Sequence, residues 1–548
     1  FIMTKTKRIL SVLTALCMLL TLAPLSVFAN VTTGKCGTEA FYSYDDVTKT
    51  LTIKGTGAIR DYNTLSSVAP WYDYCEQIES IVIESGVTGI GSYAFYWCNG
   101  LTSITIPDTV TYIGEGAFYE CTALESITIP DSITSIGKEA FQFSGLTSVT
   151  VPGSLTNIAD YTFCDCDNLA SVEIKDGVEY IGDYAFNGCG NLSDITLPDS
   201  VTGIGSGVFD GTAYCKDENN FDNGVLYIGN HLVKADTSIS GVCTVRSGTK
   251  IICNYAFYSC KGLTGINLPD TLTVIGSYSF QSSGLTDITI PQSVTVIGDS
   301  AFAVCIDLTN ITVADGNTAY RSQNGILYNK AKTEIICYPK AAVGDSFAIP
   351  NGVTKIADSA FERCWNLKNI TIAQSVTNIG TDAFNNCKAL ENIVIPDGVE
   401  SIGAGAFFEC SALKSVTIPN SVASIGESAF KKCGKLNKVN YVGSKEDWTD
   451  IEKGSGYSIP DDIIVYLKGI KAVRSADGKI VVTPLNTDNG KTVILALYNG
   501  NKLAEVHSQV YNGTQITFTP SKTYTTAKAM IWSDFNTLSP ECGIKIIK

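Results

Sequence analysis

The sequence predicts a repeat solenoid of short parallel strands and short helical or 3-10 segments. It is capped at both ends and followed by a small all-β sandwich. Three observations carry this. Phenylalanine recurs at a fixed interval, the same apolar pattern fills each interval, and the chain changes character at both ends. The phenylalanines are Phe95, Phe118, Phe141, Phe163, Phe186, Phe209, Phe257, Phe280, Phe302, Phe361, Phe384, Phe407 and Phe430, and ten of the twelve steps are 22 or 23 residues. A fixed period of this length is the mark of a stacked array.

One unit explains the others. Ser126-Ile127-Thr128-Ile129 alternates apolar and polar residues, which predicts a strand with one face inward. Pro130 ends it, because proline has no N–H for a ladder, and Asp131-Ser132 suits the turn that follows. Ile133 and Ile136 supply a second apolar edge, Gly137 a tight corner, and Lys138-Glu139-Ala140-Phe141 a short helical or 3-10 segment. No unit buries its apolar residues alone; stacked units share one core.

These residues, written LxxIxIPxxVxxIGxxAFxxCxxL, resemble the BspA-type (treponemal-type) leucine-rich repeat of bacterial surface and secreted proteins. The resemblance covers residues 78–440. It implies a leucine-rich repeat fold, and a role in adhesion or ligand binding with diverse partners.

The long steps hold Asn223-Gly224-Val225-Leu226-Tyr227 and Asn324-Gly325-Ile326-Leu327-Tyr328, each followed by a second apolar run. They predict β-hairpin inserts at about 212–247 and 314–348, strand-paired to the array. Residues 30–77, with Trp71, and 441–469, with Trp448, resemble the family's terminal caps, which cover core and strand edges at the open ends. Residues 470–548 carry several strand-like runs and predict the β-sandwich.

Residues 1–29 read as a secretory signal peptide: Lys5, Lys7 and Arg8, an apolar run, then Val27-Phe28-Ala29. No transmembrane anchor is expected. The 548 residues carry a formal charge of −15; without that segment's three cations it is −18. Such acidity argues against nucleic acid as a partner. The chain is expected to be secreted or surface-associated and monomeric.

Chemistry is sparse. Two histidines, His231 and His507, give no constellation and read as solvated residues. Ten of the nineteen cysteines fall three residues after a repeat phenylalanine, so they read as a ladder of small buried side chains rather than a metal or redox site. Cys36 and Cys75 are candidates for a bridge pinning the N-terminal cap. Asp108, Asp131, Asp199, Asp270 and Asp397 recur after the strand proline and read as turn residues. No catalytic residue, cofactor or metal is expected.

The outward strand positions are the candidate ligand-facing surface: Ser103, Thr105, Ser126, Thr128, Thr150, Thr196, Thr289, Thr312, Thr371 and Thr417. They predict a flat hydroxyl-lined sheet without aromatics or cations. Three readings fit it: a broad protein- or glycan-contacting face, an ice-binding array, or exposed-strand threonine copied by duplication. The leading function is non-enzymatic binding or adhesion to an extracellular protein or glycan. The alternative is a carbohydrate-associated protein that binds or hydrolyses glycan, with the repeats as scaffold.

Overall fold

The computed structural model describes residues 31–466 except 65, and then 469–474, 479–485, 492–499, 502–512, 514–521, 524, 526–532 and 545–547. The signal-peptide expectation lies outside these. The chain divides into two compact units, Phe1–Asn220 and Phe221–Lys548.

In the first unit, Val31–Lys35, Gly37–Asp45 and Thr50–Ile59 form an antiparallel meander. Its last strand pairs in parallel with Ser80–Ile83, which pairs with Ser103–Thr105. The coils follow, each contributing three edges. The strand edge continues as Ser148–Val151, Ser171–Ile174 and Asp194–Thr196 in register. The isoleucine edge runs from Tyr112–Ile113 and Ser135–Ile136 to Asn157–Ile158, Tyr180–Ile181 and Gly203–Ile204.

The phenylalanine edge is where the structure departs from expectation. It is a chain of turns, not a helix. Residues two before and two after each phenylalanine are left-handed: Tyr93 (φ 53°) and Trp97 (φ 62°) around Phe95, Glu139 (φ 58°) and Phe143 (φ 59°) around Phe141. Alternating handedness aims every second N–H at the next coil. Tyr93, Phe95 and Trp97 donate to the carbonyls of Glu115, Ala117 and Tyr119 at 2.8–2.9 Å. Glycine fills this position at no steric cost in Gly188 and Gly211, whereas an aromatic residue such as Trp97 or Phe143 carries a steric cost there.

Inside, the rings of Phe95, Phe118, Phe141, Phe163, Phe186 and Phe209 form one stack with centroids 5.2–5.8 Å apart. Trp71 closes its end, fully buried against Phe95 at 5.6 Å, with Nε1 donating to the Ala94 carbonyl at 2.8 Å.

The second unit repeats the scheme. Phe257, Phe280 and Phe302 stack, as do Phe361, Phe384, Phe407 and Phe430. Tyr338 stands in for a missing phenylalanine, stacked on Phe361 at 5.1 Å. Each insert is an antiparallel meander whose last strand, His231–Ala235 or Glu334–Cys337, joins the isoleucine edge in parallel. The two-residue turns Asn223-Gly224 and Asn324-Gly325 have φ of 50°, 79°, 52° and 78°, the mirror-image turn that hairpin twist favours. Trp448 is buried against Tyr441 in the Lys445–Asp450 helix, which Ser444 and Asp447 cap reciprocally. Beyond it, two antiparallel sheets are built from Gly469–Arg474, Ile480–Leu485 and Ile516–Phe518, and from Lys502–Val510, Thr492–Asn499, Thr526–Trp532 and Lys545–Ile547. Ile480, Val482, Leu495 and Phe518 belong to one buried core shared by these sheets.

Candidate ligand-facing surface

The cysteine ladder has a chemical role besides packing. Cys121, Cys189, Cys387 and Cys410 donate their S–H to the carbonyls of Phe95, Phe163, Phe361 and Phe384 in the coil before, at 3.1–3.2 Å. Burial pushes the Cys305, Cys364 and Cys433 thiols up to about 12, so they stay protonated. Where the ladder lacks cysteine, Ser144, Ser283 and Thr212 hold the slot, all buried. Ser144 and Ser283 sit 3.2 and 3.4 Å from the sulfurs of Cys166 and Cys305. The slot therefore selects a small buried donor. Cys387→Ala should cost about 1–2 kcal/mol in urea unfolding, and Cys387→Ser clearly less.

Other expectations are corrected. Cys36 and Cys75 are separate buried thiols, not a bridge. Cys75 instead acts on Cys98, whose thiol is raised first by burial and then by its hydrogen bond to Cys75. His231 is buried, with Nδ1 3.2 Å from the Ile228 carbonyl, because the insert strand carries it into the array edge. The His507 Nε2 lies 3.1 Å from Glu505, with a quarter of its side chain exposed. Among the described residues no His, Cys, Asp or Glu group could hold a metal, and no helix is long and apolar enough to cross a membrane.

Of the ten candidate residues on the strand edge, all but the half-buried Thr417 are exposed. They do not form one array. Thr289 and Thr312 are paired in register, but Glu173 separates Thr150 from Thr196, and Thr417 pairs with Val394 and Asn440. No continuous threonine plane runs along the described strands.

The structure does bring three of the ten together. Ser126–Ile129, the segment that defined the repeat, has no strand pairing: the ladder stops at Ser103–Thr105 and resumes at Ser148–Val151. The break leaves a cleft of about 290 Å³ lined by Ser126, Thr128 and Thr150, with Asp131, Ser148 and Lys175. Lys175 is a cation where none was expected, and it is paired to Glu173 at 2.6 Å. Backbone polar groups without a ladder partner, hydroxyls and one ion pair make this notch a hydrogen-bonding site. A second cleft, of about 370 Å³, lies between the second insert and the coils of its own unit. Asp299, Glu334 and Asp358 line it with Lys355, which pairs with Glu334 at 2.8 Å.

Parallel strands, a phenylalanine stack and a thiol ladder repeated every 22–23 residues define a leucine-rich-repeat class of solenoid. The model of the BspA type leucine rich repeat region, in six copies, matches residues 69–172, 134–243, 235–342 and 337–452. The chain belongs to this family. No curated protein matches it. Among solved structures it is similar to a leucine rich cell surface protein from Faecalibacterium prausnitzii (26% identity, 80% of this chain and 100% of that one, TM-score 0.36). Leucine-rich repeat proteins from Eubacterium ventriosum (25%, 79% and 93%, TM-score 0.30) and Bacteroides ovatus (26%, 78% and 98%, TM-score 0.29) are also similar.

Proposed function

We propose that the protein is a secreted or cell-surface, non-enzymatic binding or adhesion protein that engages an extracellular macromolecule through its strand edge. The notch at Ser126, Thr128 and Thr150 is the observation that carries this reading. It offers unpaired backbone and hydroxyls on an exposed face, which suits an extended polypeptide or a glycan. The shallow repeated surface suits large partners better than buried small ligands. Residues 1–29 are a signal peptide in this account, residues 30–77 and 441–469 are caps, and residues 470–548 are a separate β-sandwich. Retention of the full chain on immobilised extracellular matrix and bacterial cell wall tests the reading. Thr128→Lys should weaken retention by about ten-fold or more, since a long charged side chain fills the notch in front of the backbone groups and hydroxyls a ligand would use.

Glycan association is the second reading, favoured by the three carboxylates in the second insert's cleft. Release of reducing sugar from a polysaccharide, lost in Asp299→Asn or Asp358→Asn, would establish it over the first.

A further inference from the structure

The outward corner of the first unit carries a strip of partly exposed aromatic rings. Tyr96 stacks on Trp97 at 5.7 Å and meets Tyr119 at 5.4 Å, and Tyr119 meets Phe143 at 5.4 Å. Trp97 is 44% exposed, unlike the buried lids Trp71 and Trp448. It also holds a left-handed position that glycine fills elsewhere in the array.

The sequence around the strip is strongly acidic. Between Arg60 and Lys216 the sequence has twenty-one Asp and Glu and two cations, Lys138 and Lys175. Both cations are already paired, to Asp160 at 2.9 Å and Glu173 at 2.6 Å. Among the described residues no ion pair reaches Glu120, beside Tyr119.

A later coil shows what this geometry holds. Ala406-Phe407-Phe408-Glu409-Cys410 repeats Ala117-Phe118-Tyr119-Glu120-Cys121 with Phe408 for Tyr119. There Lys432, from the following coil, lies 4.9 Å over the Phe408 ring and 2.6 Å from the Glu409 carboxylate. The position equivalent to Lys432 in the earlier coil is Phe143, with nearly the same φ of 59° against 63°. The same aromatic–carboxylate pair is thus filled by an internal cation in one coil and lacks it in the other.

We propose that the Tyr96–Trp97–Tyr119–Phe143 strip with Glu120 is a docking surface for a basic polypeptide segment, whose arginine or lysine takes the place Lys432 takes on Phe408 and Glu409. Arginine is the better occupant, because its guanidinium stacks on rings and forks onto carboxylate. This surface lies on the corner edge, apart from the strand-edge notch, and stands or falls independently of it.

The test is binding of a labelled oligoarginine peptide to the full chain at physiological salt, followed by fluorescence anisotropy. Saturable binding is expected, stronger than for oligolysine. Phe143→Lys installs the internal cation and should weaken binding about ten-fold, and Trp97→Asn, which suits the left-handed backbone, should weaken it several-fold. Ser193→Lys adds the same charge at an exposed loop position, where Lys414 stands in a later coil, and should change affinity less than about two-fold. Thermal melts confirm that each variant is folded. No binding by the parent chain, or equal loss in Phe143→Lys and Ser193→Lys, would overturn the proposal, because general charge attraction would then explain everything.

Discussion

Phe118→Ala should lower the unfolding free energy by about 3–5 kcal/mol. The ring is fully buried between Phe95 at 5.3 Å and Phe141 at 5.2 Å. Removing it leaves a gap bounded by two coils that the stacked backbone ladder cannot close. Phe118→Leu keeps most of the volume and should lose less than half as much. Equilibrium denaturation with tryptophan and far-ultraviolet signals checks this, and a repeat array has one further signature. Coupling is between neighbours, so the coils next to Phe118 should lose amide-exchange protection before distant ones. A loss below about 1 kcal/mol would mean that the stack is not the core the structure describes.

Trp71→Ala is expected to cost a comparable amount, about 3–5 kcal/mol for a fully buried tryptophan. It also removes the Nε1 hydrogen bond to Ala94 and the edge contact with Tyr42 at 5.3 Å. The consequence differs in kind. Trp71 closes the end of the stack, so its loss opens a cavity against Phe95, beneath Tyr42 and Tyr62 of the cap. Concentration-dependent association, seen by light scattering, should accompany the destabilisation, because a cap loosened by this cavity opens more often and then bares apolar surface and a strand edge of the first coil. Trp71→Phe should restore monodispersity and most of the stability.

How much of this was legible follows from what each position demands. The phenylalanine stack, the isoleucine edges and the cysteine slot need one residue type at one spacing, so the period exposed them. The Asn-Gly turns of the inserts were legible for the same reason. The left-handed corner positions were not. Trp97, Glu120, Phe143, Asp165 and Gly188 all occupy the same place, so no residue preference marks it, and a helical segment looked natural. Serine in place of cysteine at Ser144 and Ser283 was the available clue that the slot needs a donor. The break at Ser126–Ile129 left no trace either: its sequence matches the paired strands Ser148–Val151 and Asp287–Ile290 in pattern. The thiols Cys36 and Cys75 show a different limit, since pairing depends on which neighbours the fold gives each one, and Cys75 meets Cys98.

The most direct test of the central claim, that this is a binding protein acting through an exposed repeat surface, joins two readouts on one sample. The purified full chain is titrated onto immobilised extracellular matrix while reducing sugar is assayed in the supernatant. The account predicts saturable retention, a loss of about ten-fold or more in Thr128→Lys, and no sugar released. Retention unaffected by Thr128→Lys, absence of retention, or steady release of sugar would contradict it.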